Sequence, residues 1–275
     1  MSTVSASDVK TLRDMTSAGY GDCRKALMEA NGNIDEAVKI LRTQGRAKAE
    51  KKQGRVTSEG VVQFAISEDK KAWAFVEVNC ETDFVAREAT FVDFVQAVLE
   101  AILKTKATSL SALENQQVQG FATLEAAREN LVLKVGENVQ IARVSYRDCA
   151  DGFAFGYQHS AKLAVVVALN QDDVQLGKEV AIHVAAMQPI AVKSDDLPQE
   201  LLASERAIYE AQLEHSGKPK DIMYKIIDGK MRKFSAGMCL YGQDYVKDPS
   251  LTVEKFLQAN KVDVDSFERF SLGEK

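Results

Sequence analysis

Little in this sequence suits a membrane protein, a secreted scaffold or a covalent catalyst. The longest uninterrupted apolar run is Leu163–Leu169, far short of the roughly 20 residues of a membrane helix. The start, Met1-Ser-Thr-Val-Ser5, has no basic patch leading into an apolar stretch, so no secretory leader is expected. The four cysteines, Cys23, Cys80, Cys149 and Cys239, lie far apart and form no CxxC. Free thiols in a reducing compartment are the expected state, and a cytoplasmic location follows. The three histidines, His159, His183 and His215, have no metal-ligand spacing among themselves or with cysteine. No phosphate-binding, dinucleotide-binding, zinc-protease or nucleophile-elbow motif occurs. The acidic pairs Asp172-Asp173 and Asp195-Asp196 sit where helix starts are expected, and acids are favourable there. These absences point away from an enzyme and away from a metal or cofactor of its own.

What is present is ordinary globular material. Of 275 residues, 45% are hydrophobic and 27% charged, which excludes a disordered chain. The length fits one large domain or two to three small ones. Charge is uneven. Residues 1–55 hold eleven Lys/Arg against seven Asp/Glu, while the whole chain is at −5. Much of the excess lies in Arg42–Arg55, RTQGRAKAEKKQGR. With Gly45, Gly54 and no interleaved aromatics, that stretch reads as a solvated linker over 44–56 rather than a nucleic-acid contact. No direct nucleic-acid partner is expected.

Hydrophobic periodicity divides the chain into three parts. Residues 1–43 read as three short helices. Ser5-x-x-Asp8 and Asn33-x-x-Glu36 are capping boxes, and glycine-containing turns at 16–21 and 31–33 separate the helices. Helices this short must share one core. The second part alternates strands and helices. Val61–Ile66 and Trp73–Val78 form a hairpin signal, and Thr90-x-x-Asp93 caps a helix carrying Phe91, Phe94, Val95, Val98, Leu99, Ile102 and Leu103. A helical stretch over 122–131 and strands over 139–146, 152–158 and 163–169 follow, then a helix over 176–187. His183, on an apolar helix face, reads as a packed and satisfied core residue. A faint repeat relates Phe75-Val-Glu-Val-Asn-Cys-Glu-Thr-Asp-Phe-Val85 to Val165-Val-Val-Ala-Leu-Asn-Gln-Asp-Asp-Val174. Two related α+β halves explain it, over 57–140 and over 141–187 with 234–275.

Residues 188–233 read as an inserted antiparallel helical hairpin of coiled-coil type. Leu201, Leu202, Ile208, Tyr209 and Leu213 face Ile222, Ile226, Ile227 and Met231 across a turn at His215–Pro219. Gly217 suits a left-handed cap there and Pro219 the next helix start. The fold class is therefore α+β.

The N-terminal helices, with their glycine-broken turn and Gly-Asn-Ile-Asp-Glu-Ala start, resemble a ubiquitin-associated (UBA) bundle. Taken in order, longer segments resemble the bacterial elongation factor Ts family. They are Val9-Lys-Thr-Leu-Arg-Asp-Met-Thr-Ser-Ala-Gly19, Asp22-Cys-Arg-Lys-Ala-Leu27, Val78-Asn-Cys-Glu-Thr-Asp-Phe-Val-Ala-Arg87, Gly156-Tyr-Gln-His-Ser160, His215-Ser-Gly-Lys-Pro219 with Gly229-Lys-Met-Arg-Lys-Phe234, and Phe267-Glu-Arg-Phe-Ser-Leu-Gly-Glu274. Two differences stand out. The family often carries two methionines in the first inter-helix loop, where this chain has Tyr20-Gly21. Many members also continue with another helix past the Gly-Glu at 273–274, where this sequence ends at Lys275.

The resemblance implies a guanine-nucleotide exchange factor whose partner is elongation factor Tu, in its GDP-bound and nucleotide-free states. It implies that Thr82, Asp83, Phe84 and Val85 insert beside the partner's Mg²⁺ site and help dislodge the ion. Phe84 would fill an apolar pocket, and Asp83 would disturb local charge and hydrogen bonds. Arg13, Tyr20 and His159 would make further contacts, and in some members the hairpin forms a homodimer. From periodicity alone, Phe84 reads as a core residue and Thr82 or Asp83 as a turn cap, and only the resemblance turns them outward. A UBA-type adaptor binding a helical peptide or protein is the alternative function. An RNA-binding translation protein using residues 42–55 is a third.

Overall fold

The computed structural model describes residues 4–16, 18–149, 151–214 and 219–274. Helix and sheet are mixed, as an α+β chain requires, and the described residues form two compact units. The first takes those of Met1–Ala65, Ala74–Arg147 and Phe270–Lys275; the second takes Ile66–Trp73 and those of Asp148–Arg269.

In the first unit, α1 (Ala6–Thr16), α2 (Tyr20–Glu29) and α3 (Ile34–Lys52) pack together. Ser5 and Asp8 bond reciprocally, Asp8 N–H to Ser5 Oγ at 3.1 Å and Ser5 N–H to Asp8 Oδ2 at 3.3 Å. Asn33 caps α3 by accepting from Glu36 N–H. Leu12, Cys23, Ala26, Leu27, Ala37 and Leu41 are buried together, and Leu133 from a later helix completes their cluster. The linker expected over 44–56 is helical through Lys52. Gly45 and Ala49 are buried, and a Cβ on Gly45 would sit 3.5 Å from Leu133. Small residues at these positions let the two helices approach, and that packing outweighs the weak helix propensity of glycine. The basic side chains turn outward and pair along the surface, Arg46 with Glu50 and Lys48 with Asp22.

Next come β1 (Glu59–Ile66) and β2 (Ala72–Cys80), then the one-turn α4 (Asp83–Ala86), α5 (Ala89–Thr105), α6 (Leu124–Val135) and β3 (Val139–Asp148). Sheet order is β1-β2-β3. As the middle strand, β2 is buried almost throughout, so it reads as a continuous apolar run rather than an alternation. Its one buried carboxylate, Glu77, bonds Arg143 Nε of β3 at 2.6 Å and Gly273 N–H at 2.9 Å. The expected division at 140/141 thus falls too early, because β3 hydrogen-bonds into the first sheet. The cap expected at Thr90 also moves. Glu88 holds the cap position without a side-chain bond, and its carbonyl accepts from both Phe91 and Val92 N–H. The apolar face of α5 is the expected one, with Phe91, Phe94, Val95, Val98, Leu99 and Ile102 fully buried.

In the second unit, β4 (Phe153–Ser160) pairs antiparallel with β5 (Leu163–Leu169), in register from Phe153↔Leu169 to Tyr157↔Val165. Helix α7 (Val174–Met187) packs on both strands. Asp173 caps it by accepting from Leu176 N–H at 3.0 Å. Two helices, α8 (Gln199–Glu214) and α9 (Lys220–Met238), then pack against each other. The first of them follows a short 3-10 turn, Ser194–Asp196. Arg206 meets Asp228, and Lys230 lies over the Tyr209 ring. Their seam differs from the expected stripe, since Ile208 and Ile222 face solvent while Ile227 and Met231 are buried. Of the expected turn, residues 215–218 lie outside the described residues. β6 (Asp244–Tyr245), β7 (Asp248–Thr252), α10 (Val253–Asn260) and β8 (Val264–Ser271) follow, and the second sheet runs β4-β5-β8. The strand halves of the sequence repeat, β2 and β5, are each the middle strand of a three-stranded sheet, and each leads into a capped helix.

His183 is fully buried. Its Nδ1 accepts from Val246 N–H at 3.2 Å, so Nε2–H donates to Gln243 Oε1 at 3.0 Å. Gln243 in turn donates to the carbonyls of Met187 and Gly237. Both ring nitrogens are therefore used in the neutral form, and desolvation holds the imidazole pKa below its ordinary value. The unfolded chain binds a proton near pH 6.5 that the folded chain resists. Stability from this site is complete above about pH 6.5 and declines as pH falls through and below it. Urea midpoints measured from pH 8 to 5 should fall over this range. His183→Gln should flatten the fall, and an unchanged slope would exclude the residue as its source.

Candidate partner-binding site

β2, the middle strand of the first sheet, ends at Cys80 and delivers the chain to Glu81 and Thr82. Thr82 is extended, with φ −128° and ψ 154°, and its Oγ1 accepts from Val85 N–H at 3.4 Å, starting α4. A one-turn helix has two sides, and here they differ sharply. Val85 and Ala86 are buried, whereas Phe84 is 78% exposed. Phe75, Phe91 and Phe94 are at 0%. Leaving one phenylalanine in water forgoes about 1.5–3 kcal/mol of burial. Asp83 is half-buried and pairs with Arg87 at 2.6 Å; an exposed pair of this kind contributes little stability.

The turn is held from behind. Thr82 N–H donates to Glu137 Oε2 at 2.9 Å, and Thr82 Oγ1–H donates to Glu137 Oε1 at 2.7 Å. The Thr82 carbonyl accepts from Cys80 Sγ at 3.1 Å and from Ala86 N–H at 3.3 Å. Burial, and then the nearby Glu137 charge, push the Cys80 thiol up to about 12, so it stays protonated and available as that donor. Beside it, Glu81 Oε1 accepts from Asn138 N–H at 2.7 Å. Asn138 is fully buried and its Nδ2 donates to the carbonyls of Arg55 and, at 3.4 Å, Gln53. Lys52 reaches the Gly136 carbonyl, and burial holds its amine below the ordinary lysine range. The end of α3, the loop before β3 and the start of α4 thus meet at one hydrogen-bonded junction.

The sequence-based site residues fare differently. Thr82, Asp83 and Phe84 form one surface feature with Phe84 outermost. Val85 does not share that surface. Its side chain is 5% exposed and supports the turn from within, because the turn that presents Phe84 points its neighbour inward. Arg13 on α1 is exposed, as is Tyr20 at the start of α2. Met15 and Met28 are exposed apolar residues on the same helices. His159 is exposed near the end of β4, with Nδ1 3.0 Å from Tyr157 Oη. Sequence reasoning missed Glu81, Glu137 and Asn138. Glu81 adjoins the quoted motif, but nothing local marks Glu137, which lies 55 positions from Thr82. Among the described residues, no three His, Cys, Asp or Glu gather as metal ligands, and no helix is long and apolar enough to cross a membrane.

A family model described as "Elongation factor TS" matches residues 81–274, from the first residue of the connector to the chain's last described position. Whole-chain relatives carry the same name. "Elongation factor Ts" of Hydrogenovibrio crunogenus is 45% identical over 271 residues, covering 98% of this chain and 92% of the relative. The protein of that name from Thioalkalivibrio sulfidiphilus is 43% identical over 99% of this chain and 93% of its own length. That of Legionella pneumophila strain Philadelphia 1 is 42% identical over 100% and 94%.

Proposed function

The chain belongs to the elongation factor Ts family, and on that premise we propose that it is a guanine-nucleotide exchange factor of translation elongation, acting in the cytoplasm on elongation factor Tu. The observation that carries this is Phe84, a large aromatic held 78% exposed on a braced turn. A GTPase holds its nucleotide through Mg²⁺ and a phosphate-binding loop. An exchange factor must bind the nucleotide-free partner better than the GDP-bound one, because equal affinity for both would exchange nothing. Coupling is reciprocal, so GDP weakens the factor's binding by the same ratio.

Phe84 supplies an apolar insert and Asp83 a charge beside it, aimed at the partner's Mg²⁺ site. Thr82 starts the turn and Val85 seats it. Arg13, Tyr20 and His159 contribute further contact area, Tyr20 standing in for an apolar methionine. The α8–α9 hairpin offers an additional surface, to the same partner or to a second copy of the chain. No covalent step is needed, so this is a binding catalyst rather than a bond-making enzyme. The N-terminal helices are joined to the rest of the first unit, since α3 packs on α6 and the bundle core includes Leu133.

A fluorescent-GDP release assay tests the function directly. Catalytic amounts of the chain should accelerate GDP release from elongation factor Tu many-fold over the intrinsic rate. Release that stays at the intrinsic rate would overturn the proposal.

A further inference from the structure

Thr82 has three polar backbone and side-chain groups, and every one is engaged. Two of them, the N–H and the hydroxyl, go to the two oxygens of one carboxylate, that of Glu137. Hydrogen bonds to a charged acceptor are shorter and about twice as strong as neutral ones. Two from a single residue also set direction, since both donors must meet both oxygens together. The same hydroxyl then faces Val85 N–H as acceptor, so the orientation set by Glu137 passes into the first turn of α4. Phe84 follows Thr82 by two residues, and its own contacts are too few to hold it, since its ring is mostly in water. A four-residue helix does not stand by itself. Burial of Val85 and Ala86 anchors its inner side, and Glu137 is the side chain that takes both the N–H and the hydroxyl of its first residue, Thr82.

We propose that Glu137 is the positioning residue of the Phe84 turn, acting through Thr82 and not by touching the partner. Its role in exchange rests on the function proposed above; its role in ordering the turn does not. Without the clasp the turn populates other conformations, and only the fraction with Phe84 outward binds productively. Apparent affinity falls in proportion to that fraction, while the rate from the fully bound complex is unaffected.

The test uses the full chain with Glu137→Ala, Glu137→Gln and Glu137→Asp. Glutamine can keep two contacts, its carbonyl accepting from Thr82 N–H and its amide facing the hydroxyl oxygen. Aspartate keeps the charge but withdraws it by one methylene. Two quantities are read. The first, needing no partner, is amide hydrogen exchange at Val85, Ala86 and Arg87, compared with Val98 and Leu99 inside α5. The second is catalysed GDP release as a function of factor concentration. Glu137→Ala should lose protection at the three turn amides about tenfold or more, with α5 unchanged. Its half-saturating concentration should rise about tenfold, with the rate at saturation within about twofold of the parent. Glu137→Gln should recover most of both effects, which a purely electrostatic role would not allow. If Glu137→Ala does not fold, Glu137→Asp should show the same pattern more mildly. Turn amides as protected in the folded variants as in the parent would overturn the proposal, and so would a loss of protection spread equally into α5. Should the parent chain fail to release GDP, the exchange function falls, and the amide comparison still decides whether Glu137 orders the turn.

Discussion

Phe84→Ala should slow catalysed GDP release about 10- to 100-fold at subsaturating factor while moving the thermal midpoint by no more than about 2 °C. The first figure is the free energy of burying a phenylalanine side chain, about 1.5–3 kcal/mol, read at a factor of ten per 1.4 kcal/mol. The ring gains that energy only when a partner covers it, because in the free chain it is 78% exposed. The second figure follows from the same exposure. Truncating a side chain that packs on little costs within about 0.5 kcal/mol, and in a chain of this size that is a shift of about 2 °C or less. Phe91 is the internal comparison. It is fully buried on α5, so Phe91→Ala should cost about 3–5 kcal/mol of stability. A Phe84 variant that melts like the Phe91 variant would place the ring in the core and remove the basis of the proposed mechanism. A Phe84 variant with full exchange activity would remove it equally.

Gly60→Ala should cost about 2–5 kcal/mol of stability, on the scale of the Phe91→Ala loss, by two independent effects. Gly60 in β1 has φ +151°, a backbone conformation that alanine adopts only under strain. A Cβ built there would lie 2.3 Å from the Val78 carbonyl oxygen and 2.8 Å from Asn79 Cα. Both are backbone atoms of the sheet's middle strand, so neither can rotate away. The displaced segment is the end of β2, which feeds Glu81 and Thr82. Exchange activity should therefore fall with stability in this variant, unlike in Phe84→Ala. The measurement is a thermal midpoint with a parallel exchange assay, and an expected drop of at least about 5 °C. A midpoint within 1 °C of the parent would show that β1 can move off β2 at Gly60 without cost, contrary to the backbone contacts described above.

Much of the architecture was legible beforehand because it depends on local chemistry. The Asn33 cap, the Ser5–Asp8 box and the apolar face of α5 follow from side-chain type and spacing alone. The packed state of His183 was legible too, since an imidazole amid Val180, Ala181 and Val184 has nowhere else to go. Other features needed partners distant in sequence. Gly45 looks like a helix breaker until Leu133 is found beside it. The strand at 139–148 looks like the start of the second half until Arg143 is seen paired with Glu77 of β2. Ile208 and Ile222 fit an apolar seam by spacing, yet both face water while Ile227 and Met231 are buried.

The Thr82–Val85 segment divides along the same line. That these residues lie between a buried strand and a helix, and that Thr82 can start a turn, was determined by the sequence itself: strand-forming residues end at Cys80, and a threonine hydroxyl can accept from a nearby amide. Which of two adjacent apolar side chains, Phe84 or Val85, would face solvent was not. Hydrophobicity ranks them alike for burial. The carboxylate that clasps Thr82 lies 55 positions away, and such a long-range partner has no local signature.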